Sequence, residues 1–222
     1  VSTTLNGFMY VVGGSNGSSA LNSGEKYDPI TDTWTNINSL STACYGAACT
    51  TLNGHIYVVG GANDNSILSS GEKYNPKEDT WTPIKDMSTA RSGTARSGTA
   101  RSGAACTTLN GHIYVVGGAT DNSILSSGLT YNPITDEWAP IENMHIARKN
   151  ASATTLNGFM YVVGGSNGSS TLSSGEKYDP ITDKWSPIKN MHIARKNASA
   201  TTLKGLIYVV GGTGKSGTDL SS

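Results

Sequence analysis

The chain has 222 residues, and 16 basic side chains balance 16 acidic ones, so no overall field draws it to nucleic acid or to an anionic membrane. Its 27 glycines and modest 36% hydrophobic content predict many short strands joined by turns, and exclude a helical bundle. The sparse, odd set Cys44, Cys49 and Cys106 excludes a disulfide framework; with neither a leader nor an apolar run of membrane length expected, the expected location is cytoplasmic.

In chain order, one set of short elements keeps returning, and its second copy displays them well. Gly46 to Leu52 is built of small residues, suited to a strand that meets its equivalents around a narrow axis. Asn53-Gly54 predicts a hairpin, because both residues accept positive φ. His55 to Val59 follows as an apolar strand, sandwiched on both faces, and ends at Gly60-Gly61. A polar loop from Ala62 to Ser70 leads to the third strand at Glu72-Lys73-Tyr74. Asn75-Pro76 predicts a turn, and Trp81 to Ile84 closes the unit as the fourth strand.

The tyrosine of Tyr-Val-Val-Gly-Gly falls at Tyr10, Tyr57, Tyr114, Tyr161 and Tyr208, at intervals of 47, 57, 47 and 47 residues. Two additional Arg-Ser-Gly-Thr-Ala units between Met87 and Cys106 account for the long interval. Periods of this size mark propellers and solenoids. A single domain over residues 1–222 is expected, with blades at about 1–40, 46–87, 103–144 and 150–191, a partial blade at 197–222 and a loop expansion at about 92–101. That frame leaves Arg91 in an inter-blade loop and assigns Arg96 and Arg101 to the expansion. The recurring Tyr of strand three and Trp of strand four (Trp34, Trp81, Trp138, Trp185) are expected to fill the widening gap between blades, and packing alone explains them.

This pattern resembles the kelch repeat, whose marks are a double glycine after the second strand, a Tyr on the third and a Trp on the fourth. Here they read Tyr-Val-Val-Gly-Gly, then Tyr-Asp-Pro or Tyr-Asn-Pro, then Trp seven residues after that Tyr. The resemblance covers four repeats, to about residue 196, and a fifth copy carries only Ala198 to Gly212. It implies an all-β propeller, commonly of six or seven blades, and a role in binding proteins; the repeats present give four complete four-stranded blades plus a partial fifth, a short count for that family. The half-formed fifth blade leaves an open sheet edge that invites pairing with another chain. Three explanations fit it: a five-bladed ring with a half-formed last blade, a homo-oligomer that completes the ring through that blade, or a fragment of a longer propeller. The copies are closely alike: Thr3–Ser19 repeats as Thr154–Ser170, and Asn143–Leu156 as Asn190–Leu203.

In such a meander, successive loops alternate between the two faces of the ring. One face is expected to gather Arg91, Arg148, Lys149, Arg195 and Lys196, with Asn63, Asn65, Ser66, Asn122 and Ser123 as polar neighbours. These are the candidate contacts for a protein or peptide partner, an acidic one fitting charge-assisted arginine bonds. A competing reading has Arg148 and Arg195 bonding backbone carbonyls and locking the inter-blade turn. The opposite face gathers Asp32, Asp79, Asp136, Asp179 and Asp183, where aspartate is ordinary turn chemistry.

No catalytic residue, metal site or cofactor is expected. The four histidines all fall on repeat positions: His55 and His112 replace Phe8 and Phe159, while His145 and His192 share another position. No thiol or carboxylate stands near them at ligand spacing. The alternative to an interaction module is a structural or engineered repeat protein that self-assembles to close its ring and has no dedicated ligand.

Overall fold

A computed structural model describes residues 1–87, 100–215 and 219–220, and every regular element among them is a β-strand. Blade one contains β1 (Ser2–Leu5), β2 (Phe8–Ser15), β3 (Ala20–Asp28) and β4 (Thr33–Ile37). Blade two contains β5 (Ala48–Leu52), β6 (His55–Val59), β7 (Gly71–Asn75) and β8 (Thr80–Ile84). Blade three follows with β9 (Ala105–Leu109), β10 (His112–Val116), β11 (Gly128–Asn132) and β12 (Glu137–Ile141), and blade four with β13 (Ser152–Leu156), β14 (Phe159–Val163), β15 (Gly175–Asp179) and β16 (Lys184–Ile188). The fifth sheet has only β17 (Ser199–Leu203) and β18 (Leu206–Val210). Each complete sheet is an antiparallel meander in sequence order.

Local chemistry sets the hairpins. In blade two Leu52 pairs with His55 across Asn53-Gly54, whose φ values of 50° and 75° are those of a tight primed turn. In blade five Lys204 holds the same left-handed position at φ 50°, a conformation that a side chain with Cβ adopts at a cost.

The inner strands β1, β5, β9, β13 and β17 lie side by side in that order around the axis. Each sheet therefore presents one face forward and one backward. Tyr57 and Val59 on the forward face of blade two pack with Ile113, Val115, Tyr131 and Trp138 on the rear face of blade three. Tyr114 and Val116 repeat the contact with Met160, Val162, Tyr178 and Trp185. Near the axis a chain of backbone bonds joins the junctions: Gly103 N–H to the Gly46 carbonyl, Asn150 to Gly103, and Asn197 to Asn150.

The paired glycines have a steric cause. A Cβ on Gly117 would lie 2.3 Å from the Arg148 carbonyl oxygen, and the residue has φ +66°. The next residue, Gly118, donates its N–H to that same carbonyl at 2.9 Å. The blade-to-blade junction thus docks directly onto the end of the second strand, where only glycine fits.

The arc is open at both ends. Trp138 is 8% exposed between blades, but Trp34 on the rear of blade one is 46% exposed. On the forward face of β18, Tyr208 is 44% exposed.

One expectation about the junctions changes. Arg101, assigned by sequence to the loop expansion, occupies the frame position. It donates through Nη1 to the carbonyls of Gly117 and Ser127, both at 3.0 Å, as Arg148 does to Gly164 and Ser174 at 2.9 and 3.0 Å. The junction uses the last Arg-Ser-Gly copy because it directly precedes the inner strand β9, so the extra residues come before Arg101. Arg91 and Arg96 lie outside the described residues.

Candidate partner-binding face

Two sets of loops share one face: those joining strands two and three, and the junctions between blades. Backbone bridges tie them together at Tyr45–Ala62, Ser102–Ala119, Lys149–Ser166 and Lys196–Thr213. The side chain just after the frame position is therefore held in equivalent places around the arc, as Tyr, Ser, Lys and Lys. Tyr45 is well exposed, and Lys149 and Lys196 are half-buried. Tyr45 was not among the sequence candidates; its alignment with Lys149 was the signal available.

The predicted basic rim divides into two groups. Arg148 is 1% exposed, its Nη1 on two carbonyls and its Nη2 on Glu176 Oε1 at 3.0 Å. Burial lowers its pKa, while Glu176 opposes that shift. Arg101 is likewise buried, and desolvation pulls its pKa down to about 10, leaving it charged at neutral pH. Arg195 is half-buried and donates to the Gly211 carbonyl at 2.7 Å. The arginines thus tie junctions to blades, whereas the half-buried Lys149 and Lys196 make no side-chain hydrogen bond or ion pair among the described residues.

The remaining candidates sit on the loop tips. Asn63 is half-buried, and its Oδ1 accepts the N–H groups of Asn65 and Ser66, both at 2.9 Å. Thr120 holds Asn122 and Ser123 in the equivalent turn. Asn16 and Asn167 do the same in blades one and four. These caps leave Asn65, Ser66, Asn122 and Ser123 exposed on preformed turns. Asp64 is drawn into the frame, accepting the N–H of Ala20, the first residue of β3 in the neighbouring blade, at 3.0 Å.

The opposite face is a set of latches. Tyr131 donates its hydroxyl to Asp136 Oδ1 at 2.8 Å, and the same oxygen accepts the N–H of Lys85 from blade two at 2.9 Å. Burial first, and then this aspartate, raise the Tyr131 pKa. Tyr74 with Asp79 and Tyr178 with Asp183 repeat the arrangement.

Among the described residues no group of three or more His, Cys, Asp or Glu side chains is placed to hold a metal. His145 donates Nδ1–H to Glu176 Oε2 at 2.7 Å, whereas His55 and His112 bond the carbonyls of Asn53 and Asn110 within their own hairpins. A shallow groove of about 400 Å³ lies at the Asn6-Gly7 hairpin end of blade one, lined by Leu5, Phe8, Met9 and Tyr27.

Radial four-stranded meanders, junctions docked on double glycines and aromatic-filled wedges define a kelch-type β-propeller with four complete blades and a partial fifth. The profile of the Attractin/LZTR1 beta-propeller family matches residues 2–177. The chain belongs to that family, whose propeller domains are generally protein-interaction scaffolds. No curated protein matches the chain. Among solved structures, one described as "Structure of YjhT" superposes with a TM-score of 0.83 at 14% identity, covering 100% of this chain and 78% of the other. At that identity the likeness concerns the fold alone.

Proposed function

We propose that the protein is a non-catalytic interaction module that holds an acidic segment of a partner protein across the face bearing the junctions and the loops between strands two and three. Lys149 and Lys196 supply the charge contacts, Asn65, Ser66, Asn122 and Ser123 the hydrogen bonds, and Tyr45 an aromatic surface. The observation that carries this reading is the row Tyr45, Ser102, Lys149 and Lys196. Backbone bridges fix each position while leaving the side chain free to vary, as a recognition surface on a rigid scaffold requires. The test is selection of peptides from a random display library, followed by titration against the Lys149→Glu, Lys196→Glu double variant. Selected peptides rich in Asp and Glu should lose at least about tenfold in affinity while the Tm holds. Peptides that bind the double variant equally well would remove the proposal.

The open faces favour a second reading, in which copies associate head to tail. The rear of blade one repeats the Ile/Met, Val, Tyr, Trp set that blades two to four bury, and the forward face of β18 repeats the Tyr and Val that cover it. Light scattering decides: association should raise the molar mass above one chain and be lost in Trp34→Glu. A strict monomer rejects it.

A further inference from the structure

The junction between blades one and two departs from the other three. Its frame position is held by Cys44, whose backbone makes the same bonds as the arginines do: Cys44 N–H to the Leu21 carbonyl and Gly14 N–H to the Cys44 carbonyl, matching Arg148 N–H to Leu125 and Gly118 N–H to Arg148. The backbone is thus in register, but the guanidinium is replaced by a short thiol. Every acceptor that a guanidinium meets at the other junctions has its counterpart here. The carbonyls of Gly60 and Ser70 stand where Gly164 and Ser174 receive Arg148, and Glu72 stands where Glu176 does.

Glu72 is only 7% exposed. Its carboxylate accepts the N–H and hydroxyl of Ser41, both at 3.0 Å, and the N–H of Thr42 at 3.2 Å. Glu176 receives the matching bonds from His145 and Ile146 and, in addition, the Arg148 cation. No ion pair to Glu72 occurs among the described residues. A buried carboxylate with neutral donors but no countercharge is the costly arrangement, because desolvation is only partly offset.

A cavity lies where the missing group would sit, lined by Leu40, Thr42, Cys44, Gly60, Ser70 and Glu72. It offers about 10 Å³ to the centre of a water-sized sphere, which is room for one water or an ion of that size. We propose that this niche binds a small monovalent cation of ammonium's size, coordinated by the Glu72 carboxylate and the Gly60 and Ser70 carbonyls. The bound ion takes the place of the arginine head and fastens blade one to blade two. A guanidinium is the shape its neighbours hold, but the void admits only something as compact as ammonium or potassium. The Glu72 carboxylate and the two carbonyls, set among Leu40, Val58 and Leu68, select a cation over a neutral water.

The test is thermal unfolding of the full chain in ammonium, potassium or tetramethylammonium chloride at equal ionic strength, the last being too large to enter. Ammonium is expected to raise the Tm saturably by about 3–6 °C at ten times its dissociation constant. An equal rise with potassium assigns the niche to monovalent cations in general, and a rise with ammonium alone to N–H donors; both support the proposal. The increment should vanish in Glu72→Gln and in Cys44→Arg, whose own side chain would take up the niche. Should Cys44→Arg fail to fold, Cys44→Ala keeps the niche and should keep the increment. Equal Tm values in the three salts, or an increment that survives in Glu72→Gln, would overturn the site.

Discussion

Trp138 donates its indole N–H to the carbonyl of Lys85, 2.7 Å away in the preceding blade. Trp81 reaches Asn38 and Trp185 reaches Glu142 in the same way. The fourth-strand indole is therefore both a wedge and a polar tie between neighbours. Trp138→Phe keeps most of the wedge and leaves the Lys85 carbonyl unpartnered, which should cost about 1–3 kcal/mol. Trp34→Phe, at a face with no neighbour, should move stability by no more than about 0.5 kcal/mol. Urea unfolding midpoints of the two variants check the order.

Asp136 is fixed by its backbone as well as by its side chain, having φ 55° in the turn before β12. Asn tolerates that conformation and keeps one acceptor for Tyr131 and Lys85. Asp136→Asn should therefore cost less than Asp136→Ala, which adds left-handed strain to two lost bonds and should lose about 2 kcal/mol or more. Equal losses on unfolding would mean that the latch contributes little.

Burial opposes ionisation of Glu176, yet the bonds from His145 and the Arg148 guanidinium hold its carboxyl below the ordinary value of 4.5. A lowered folded pKa means stability that is complete above the unfolded value and lost as pH falls through the folded one. The gap in Tm between the wild type and Glu176→Gln should thus be widest near neutrality and narrow below about pH 4. A gap that widens in acid would contradict the pairing.

Desolvation raises the Cys49 thiol to about 12, and carries Cys106 well above its usual range and Cys44 upward. At mildly alkaline pH the native chain should resist iodoacetamide at all three thiols and take up three labels in urea. Mass spectrometry reads the difference.

Most of the architecture was legible because the spacing is regular: Tyr10, Tyr57, Tyr114, Tyr161 and Tyr208 all mark second strands, and Asn-Gly pairs set the inner hairpins of the four complete blades. The junction was harder for a physical reason. Arg91, Arg96 and Arg101 each precede Ser-Gly, so local sequence is the same at all three, and only docking against Gly117 and Ser127 distinguishes the last. The candidate face was legible as a set of loops but not as a set of charges. Whether an arginine points to solvent or into its own blade depends on the carbonyls of a strand some sixteen residues on, as with Arg148 and Gly164. The ties made by Trp138 and Asp136 escaped for a related reason, since their partner, Lys85, lies in another repeat.

The seating of Arg101 has an evolutionary corollary. Since the anchoring triplet is the final one in a run of identical triplets, adding or deleting a five-residue copy upstream leaves an equivalent anchor against β9. Copy number at this seam is thus a quantity that replication slippage can change while an Arg-Ser-Gly triplet still directly precedes β9.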